Sequence, residues 1–213
     1  MAYALGLVAT DGCLSSDGRH IAYVSKDIAL LRTWLLIIGR SHLKIRIVRS
    51  STGGLAYRVD AGHVMLYRWL MERGLTPRKS LTLGAIDVPS EFLADLLRGL
   101  LDGDGTIYTR KHQPTKRSYP DYWYERLWTY FTSASPRHIA WLRVRIEEEF
   151  GLKGWVELRR KSGKNDFYRL KYGNIASLKL LRILYADPHA PHLARKKRKW
   201  LAYLDGNSAE GGI

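Results

Sequence analysis

The sequence predicts an α+β protein made of two pseudo-symmetric halves, and three observations support this prediction. Residues 6–12 (GLVATDG) align without gaps with residues 99–105 (GLLDGDG), 93 positions further along the chain. The segments that follow each string share one order of helical and strand-like patterns, as expected of a duplicated unit. The 213 residues are 46% hydrophobic, which is enough to build a core for one or two domains.

The repeated unit is predicted to be αββαββα. Each half begins with the helix that carries its motif, followed by a polar alternating stretch of two strands and a helix ending near Gly39 or Gly151, which are plausible C-caps. A hairpin and a last helix close each half. In the first half the later segments are a helix over 28–39, strands over 44–49 and 55–60, and a helix over 63–73. In the second half they are a helix over 139–151, strands over 155–161 and 167–172, and a helix over 175–185.

The halves are predicted to span residues 1–80 and 92–205. A linker over 81–91 joins them, because Gly84, Pro89 and Ser90 interrupt regular structure there. Residues 206–213 are expected to form a flexible tail.

The charge of the chain points to a polyanionic partner. Lys and Arg number 35 against 20 Asp and Glu, which leaves a formal net charge of +15. Such an excess is costly through self-repulsion unless a polyanion binds, and nucleic acid is the leading candidate. Residues 1–90 carry +6 and residues 91–213 carry +9, so the charge is distributed through the fold and is not confined to a tail.

Several classes of protein are excluded by composition. A single cysteine, Cys13, excludes an intramolecular disulfide and a cysteine-based zinc cluster. The longest apolar stretch, residues 28–39, is interrupted by Arg32 and falls short of the roughly 20 residues that span a bilayer. The N-terminal residues lack the features of a signal peptide. We therefore expect a soluble intracellular protein without a membrane partner.

The two motifs are built for close helix packing. Gly6 and Thr10 lie four residues apart on one helix face, as do Gly99 and Gly103 on the other, and small residues at this spacing let two backbones approach. Gly12 and Gly105 follow, and we expect them to leave the helices through a positive φ.

Packing these helices brings Asp11 and Asp104 together at their C-terminal ends. Two carboxylates beside two negative helix ends repel each other and favour a divalent cation. Carboxylate oxygens, with the terminal carbonyls of Thr10 and Gly103, suit Mg²⁺, which keeps water ligands and shares phosphate oxygens with its substrate. The pair thus indicates a metal-assisted phosphodiester hydrolase.

Residues 4–12 (ALGLVATDG) and 97–105 (LRGLLDGDG) resemble the signature of the LAGLIDADG homing endonucleases, of the type with two motifs in one chain. The resemblance extends over nearly the whole length and implies saddle-shaped antiparallel sheets in each half-domain. It also implies that each Asp serves one DNA strand, with cleavage across the minor groove and short 3′ overhangs. Two or three Mg²⁺ ions shared between the acids are implied, with Mn²⁺ or Ca²⁺ able to substitute in binding. Ala9 departs from the motif, which has an acid at this position, whereas Asp102 keeps it.

The resemblance implies further site residues. A lysine from the end of each half-domain enters the site, and Lys79 and Lys196 match that location. Lys197 or Lys199 can replace Lys196 in register, so this choice stays open. Ser25 and Ser133 fall near the polar positions of the family's water network.

Basic side chains on the strands are candidates for DNA contact. Alternation places Lys44 and Arg46 on one face and Ile45 and Ile47 on the other, and a two-stranded ribbon of this kind fits the major groove. The candidates are Arg19, His20, Lys44, Arg46, Arg49, Arg58, Arg110, Lys111, Arg126, Arg159, Lys161, Arg169 and Lys171. Strands of about nine residues in each half span about 20 base pairs in total.

These observations predict a monomeric, intron-encoded or free-standing endonuclease that cuts double-stranded DNA at one long asymmetric site. The alternative is an RNA maturase or a catalytically inactive DNA-binding protein with the same fold. Retention of both Asp11 and Asp104 favours the nuclease.

Overall fold

The computed structural model describes residues 1–49, 53–113, 124–160 and 166–209. Within these ranges the chain forms seven α-helices and eight strands, and the predicted α+β class is confirmed. No helix in the described ranges is long and apolar enough to span a bilayer.

The first half follows the predicted αββαββα order. Its elements are α1 (Ala2–Asp11), β1 (Gly12–Leu14), β2 (His20–Ser25), α2 (Ile28–Ile37), β3 (Arg46–Arg49), β4 (Leu55–Gly62) and α3 (Val64–Glu72). Short 3₁₀ turns at Lys79–Leu81 and Ser90–Phe92 lie between the halves.

The second half repeats this order and adds one helix. Its elements are α4 (Leu93–Gly103), β5 (Thr106–His112), β6 (Tyr124–Ser133), α5 (Pro136–Phe150), β7 (Trp155–Arg159), β8 (Phe167–Tyr172), α6 (Asn174–Leu184) and α7 (Ala194–Ala209). Helix α7 was not predicted, because the basic run at its start conceals its pattern. The signal was the spacing of Lys196, Trp200 and Tyr203, which are all buried on one helix face.

Each half contains one four-stranded antiparallel sheet, and the two sheets have the same topology. The strand orders are β1-β2-β4-β3 and β5-β6-β8-β7. One face of each sheet packs on the helices through side chains such as Ile21, Tyr23, Leu127 and Leu170, which are fully buried. The opposite face of each sheet, called the outer face below, carries the alternate residues of every strand.

Helices α1 and α4 pack face to face at the centre of the molecule. A Cβ atom on Gly6 would lie 2.5 Å from the Leu96 carbonyl oxygen and 2.9 Å from the Gly99 Cα. The predicted small-residue contact is therefore confirmed. Residues 2–9 of α1 are buried on all sides, because the hydrophobic core is continuous through both halves.

The helix-terminal glycines serve two different purposes. Gly151 is the C-cap of α5 with a left-handed φ of 66°, as predicted, and Gly39, with φ 67°, directly follows Ile38, the C-cap of α2. The expectation of positive φ at Gly12 and Gly105 is wrong, since Gly12 has φ −89° and Gly105 is outside the positive-φ set. A Cβ atom there would lie 2.6 Å from Val8 Cγ1 or Leu101 Cα, so both glycines are needed for close packing on the preceding turn.

Candidate active site

The two acidic residues of the motifs meet at the joined ends of α1 and α4. Asp11 is the last residue of α1, and Asp104 directly follows α4. Because a Cβ atom on Gly103 would lie 3.1 Å from Asp11 Oδ2, the end of one helix is in contact with the acid of the other. Burial and, secondly, the charge of Asp104 raise the pKa of Asp11 to about 7. Burial also raises the pKa of Asp104. The site is therefore a pair of carboxylates whose negative charge is incompletely compensated.

Each acid has a buried lysine beside it. Lys79 is 5% exposed and donates a hydrogen bond from Nζ to the Gly12 carbonyl. Lys196 is 4% exposed and donates to the carbonyls of Leu101 (2.5 Å), Asp102 (2.9 Å), Gly103 (3.2 Å) and Gly105 (2.7 Å). Both ammonium groups thus lie against the chain that leaves a motif helix, one in each half.

The structure places Lys196 in the site and its two alternatives elsewhere. Lys197 Nζ lies 5.8 Å over the Tyr185 ring, and Lys199 is exposed to solvent. Burial lowers the pKa of Lys196 to about 8 and also lowers the pKa of Lys79, although the nearby acids oppose both shifts. Both lysines therefore release a proton more readily than a surface lysine does.

The donor set fits a hydrated divalent cation. Within the described ranges no three His, Cys, Asp or Glu side chains are grouped closely enough to hold a metal. A pair of carboxylates with terminal carbonyls is nevertheless what Mg²⁺ uses when it keeps waters and binds phosphate. The Thr10 hydroxyl donates back to the Leu7 carbonyl (2.9 Å), and the Thr10 carbonyl at the end of α1 is the predicted ligand. The Gly103 carbonyl is shared with Lys196.

The two serines occupy equivalent strand ends but differ in surroundings. Ser25 and Ser133 each accept a hydrogen bond on Oγ from the backbone two residues later, Asp27 N (3.2 Å) and Ser135 N (3.1 Å). Ser133 lines a cavity of about 110 Å³ together with Thr10 and Asp104, whereas Ser25 does not. The structure thus places Ser133 in one cavity with Asp104.

A buried acid, Asp102, supports the site without belonging to it. Its Oδ2 accepts hydrogen bonds from the Tyr3 hydroxyl (2.8 Å) and from Leu193 N (2.7 Å), which directly precedes α7. Asp102 therefore links α1, α4 and the segment that carries Lys196. In the sequence, Asp102 is identified only as the acid that the second motif keeps and the first lacks. The matching position, Ala9, has no carboxylate, so the two lysines are held in place by different means.

The predicted DNA contacts on the strands are divided between the outer and the helix-facing sides of the sheets. Arg46, Arg58, Arg110, Arg126, Arg159, Arg169 and Lys171 lie on the outer faces of the two sheets, as register and alternation require. Arg49 lies opposite Leu55, and Lys111 lies opposite Glu125, and both are on the helix-facing sides. Lys44 precedes β3, so it is not part of the strand.

The remaining predicted contacts lie at the margins. Arg19 and His20 follow the turn between β1 and β2 and pair with Asp17. Lys161 lies outside the described residues.

Comparison with known proteins identifies the fold. No family model matches the chain, and no curated protein matches it in sequence. Among solved structures, full-length DUF199/WhiA from Thermatoga maritima matches with a TM-score of 0.60 and 13% identity over 100% of this chain. This chain spans 60% of the length of that protein.

Two endonucleases of known structure match as well. The LAGLIDADG meganuclease I-AabMI bound to uncleaved DNA has a TM-score of 0.61 and 15% identity, covering 98% of this chain and 91% of its own. I-DmoI in complex with DNA and Mn has a TM-score of 0.51 and 16% identity, covering 87% of this chain and 96% of its own. The chain therefore has the LAGLIDADG fold, and the prediction of this fold is confirmed.

Proposed function

We propose that this chain is a divalent-metal-dependent endonuclease that cuts both strands of a long asymmetric DNA site of about 20 base pairs and leaves short 3′ overhangs. The observation that carries the proposal is the pair of carboxylates at the touching ends of α1 and α4, each with a buried lysine beside it. Burial raises the pKa of both carboxyls, and a pair of perturbed acids at one place supports a functional site.

Asp11, Asp104 and the carbonyls of Thr10 and Gly103 would hold Mg²⁺, with Mn²⁺ or Ca²⁺ able to replace it in binding. When bound, the ion supplies Lewis-acid chemistry at the phosphate. Mn is present in the I-DmoI complex with DNA, which supports divalent metal use in proteins of this fold.

The lysines act beside the acids. The Lys196 ammonium is fixed by four carbonyls, so its position is set before the substrate arrives. With a pKa of about 8 it is mainly protonated at neutral pH and can stabilise a phosphate oxygen by its charge, whereas donating to water requires one of its three N–H groups to leave a carbonyl. Lys79 has the same role in the other half, so each half serves one strand.

Double-stranded DNA is the proposed partner. The net charge of +15 and the cations on both outer faces support it, and I-AabMI and I-DmoI are DNA complexes. The units that bind the two half-sites are residues 1–80 and 92–205, joined by the linker 81–91. One chain holds both halves, so it acts as a monomer. Intron homing is the proposed biological setting.

A second candidate function is DNA binding or RNA maturation without cleavage. Two observations favour it. DUF199/WhiA has the same fold, so the fold is not confined to proteins named as endonucleases. The Lys196 ammonium contacts four carbonyls, and a lysine that only stabilises the end of a helix would make the same contacts.

The test is cleavage of a randomised duplex library in Mg²⁺, followed by sequencing of the cut products. Recovery of one long asymmetric site is expected. Asp11→Asn and Asp104→Asn should each abolish double-strand cleavage while leaving specific binding within a few-fold. Asp205→Asn, an exposed carboxylate on α7, is the matched control and should cut normally. Full cleavage by Asp104→Asn in Mg²⁺ would contradict the assignment of the site.

A further inference from the structure

The two outer faces present the same three positions. Arg46 on β3 lies opposite Arg58 on β4, and Glu157 on β7 lies opposite Arg169 on β8. Two residues further along β4 and β8, on the same faces, are Asp60 and Lys171. Because the sheets have the same topology, the pseudo-two-fold axis relates Arg46 to Glu157, Arg58 to Arg169, and Asp60 to Lys171.

The charges at two of these positions are reversed between the halves. In the first half Asp60 forms ion pairs with Arg46 and with Arg58, the latter at 2.6 Å. In the second half Lys171 Nζ lies 3.3 Å from Glu157 Oε2, and Arg159 pairs with the same carboxylate at 3.1 Å. In the first half the cation Arg46 lies on the edge strand β3 and the carboxylate Asp60 on the inner strand β4. In the second half the carboxylate Glu157 lies on the edge strand β7 and the cation Lys171 on the inner strand β8.

The side chains of both clusters are held in fixed positions. Lys171 Nζ lies 5.2 Å over the Tyr130 ring and 5.5 Å over the Trp155 ring. Arg58 holds Asp60 by a two-pronged contact of its guanidinium. Both pairs are partly exposed on the outer faces, where ion pairs contribute little to stability, so the fold does not require either arrangement. Fixed polar groups on an outer face are instead suited to reading base edges.

The chemistry of the major groove gives the reversal a meaning. Lys and Arg donate to guanine O6 and N7, and Asp and Glu accept from the cytosine N4 amino group. A cation and a carboxylate side by side therefore match the two bases of one G·C pair. If the cation and the carboxylate exchange places, the guanine and the cytosine that they match exchange DNA strands.

We infer that Asp60 with Arg46, and Lys171 with Glu157, are specificity-determining residues that read G·C pairs of opposite orientation at equivalent positions of the two half-sites. This inference rests on the proposed function, because it requires a duplex target. The two half-sites therefore differ at this position. The difference determines the orientation in which the protein binds its site.

The test exchanges the charges within one half. The double variant Arg46→Glu/Asp60→Lys gives the first half the polarity of the second, and Glu157→Arg/Lys171→Asp does the reverse. Each keeps one cation and one carboxylate on the same two strands. Arg145→Glu/Glu149→Arg exchanges the 3.2 Å ion pair on α5 and is the matched control. Site selection from a randomised duplex library without divalent metal measures binding alone.

Each swap is expected to invert one G·C pair in its own half-site, with a change in preference of about 10- to 100-fold, while the control leaves the site unchanged. The inference is overturned if the wild type selects a defined site and both swaps select the same bases. It is also overturned if the swaps lower affinity for all sequences equally, as for phosphate contacts. If the wild type selects no duplex site, the proposed function fails and the inference fails with it. The two swaps are independent, so one well-folded variant, checked by thermal melting, suffices.

Discussion

At the scale of residues, the candidate site depends on charge that the fold does not fully compensate. Asp11 and Asp104 are placed side by side at two helix C-termini, where the helix dipoles add further negative potential. The two carboxylates stay close in spite of this repulsion because α1 and α4 are packed together at Gly6 and Gly99. Because the two carboxylates repel each other, binding of a cation between them is favourable.

Burial of Asp11 and, secondly, its repulsion from Asp104 predict how stability depends on pH when metal is absent. The folded pKa of Asp11 is raised to about 7, so the folded state holds a proton that the unfolded chain releases at lower pH. The stability associated with this proton is present at pH 4 and is lost as pH rises through about 7. Asp104→Asn removes the opposing charge. We therefore expect its melting temperature in chelator to exceed that of the wild type by several degrees at pH 8, and by less at pH 5, as measured by circular dichroism. An advantage that is equal at both pH values would contradict this account.

The lysines predict a division of labour between the strands. Lys79→Met and Lys196→Met should each slow cleavage of one strand, and of opposite strands, because each ammonium lies in a different half. End-labelled duplexes would then show nicked intermediates of opposite sense. Lys199→Met, an exposed change on the same helix as Lys196, is the control. Equal slowing of both strands by both variants would show that the lysines are not assigned one to each strand.

At the scale of elements, the contact between α1 and α4 determines the geometry of the site. The approach is backbone to backbone, so no side chain can move aside to make room. This contact, and not helix propensity, brings the two acids together at the ends of α1 and α4.

A single methyl group tests this contact. Gly99→Ala would place a Cβ atom against the Tyr3 carbonyl oxygen and 3.0 Å from the Gly6 Cα. We expect a loss of about 1–3 kcal/mol in the free energy of unfolding, measured by urea denaturation. Gly84→Ala is the matched control, because nothing lies within 4 Å of its Cβ position. Equal stability of the two variants would mean that α1 and α4 are further apart than described.

Helix α7 is connected to the site through Asp102, which joins Tyr3 of α1 to Leu193 before α7. At its start, Arg195 pairs with Asp27 of the first half at 2.8 Å. The helix that carries Lys196 thus binds to both halves, and its position depends on their relative placement.

At the scale of the whole molecule, two halves in one chain predict one protein per duplex. Sedimentation of the complex with a selected site should give the mass of one chain and one duplex. Because both outer faces carry cations, log K should also fall linearly with log salt, with a slope of about −0.9 for each phosphate contact. A complex containing two chains would contradict the monomer.

Much of the architecture was predictable because its signals are local. The period of apolar residues located the helices and strands, and the similarity of residues 6–12 and 99–105 showed the duplication. The expectation for the motif glycines failed because glycine has two uses. Gly12 was expected to relieve strain in φ, but it makes room for Val8. Arg49 and Lys111 stay predicted DNA contacts, and strand register places both on the helix-facing sides of the sheets.

The sequence by itself determined the duplicated fold, the pair of acids and the basic surface, because these depend on residue types and on spacings within one helix or strand. The tertiary structure alone decided that Lys196, and not Lys197 or Lys199, enters the site, and that Asp102 joins three elements. It also showed that the charges of Arg46 and Asp60 are reversed at Glu157 and Lys171. These facts depend on contacts between residues that are distant along the chain, and such contacts exist only after the two halves have packed together.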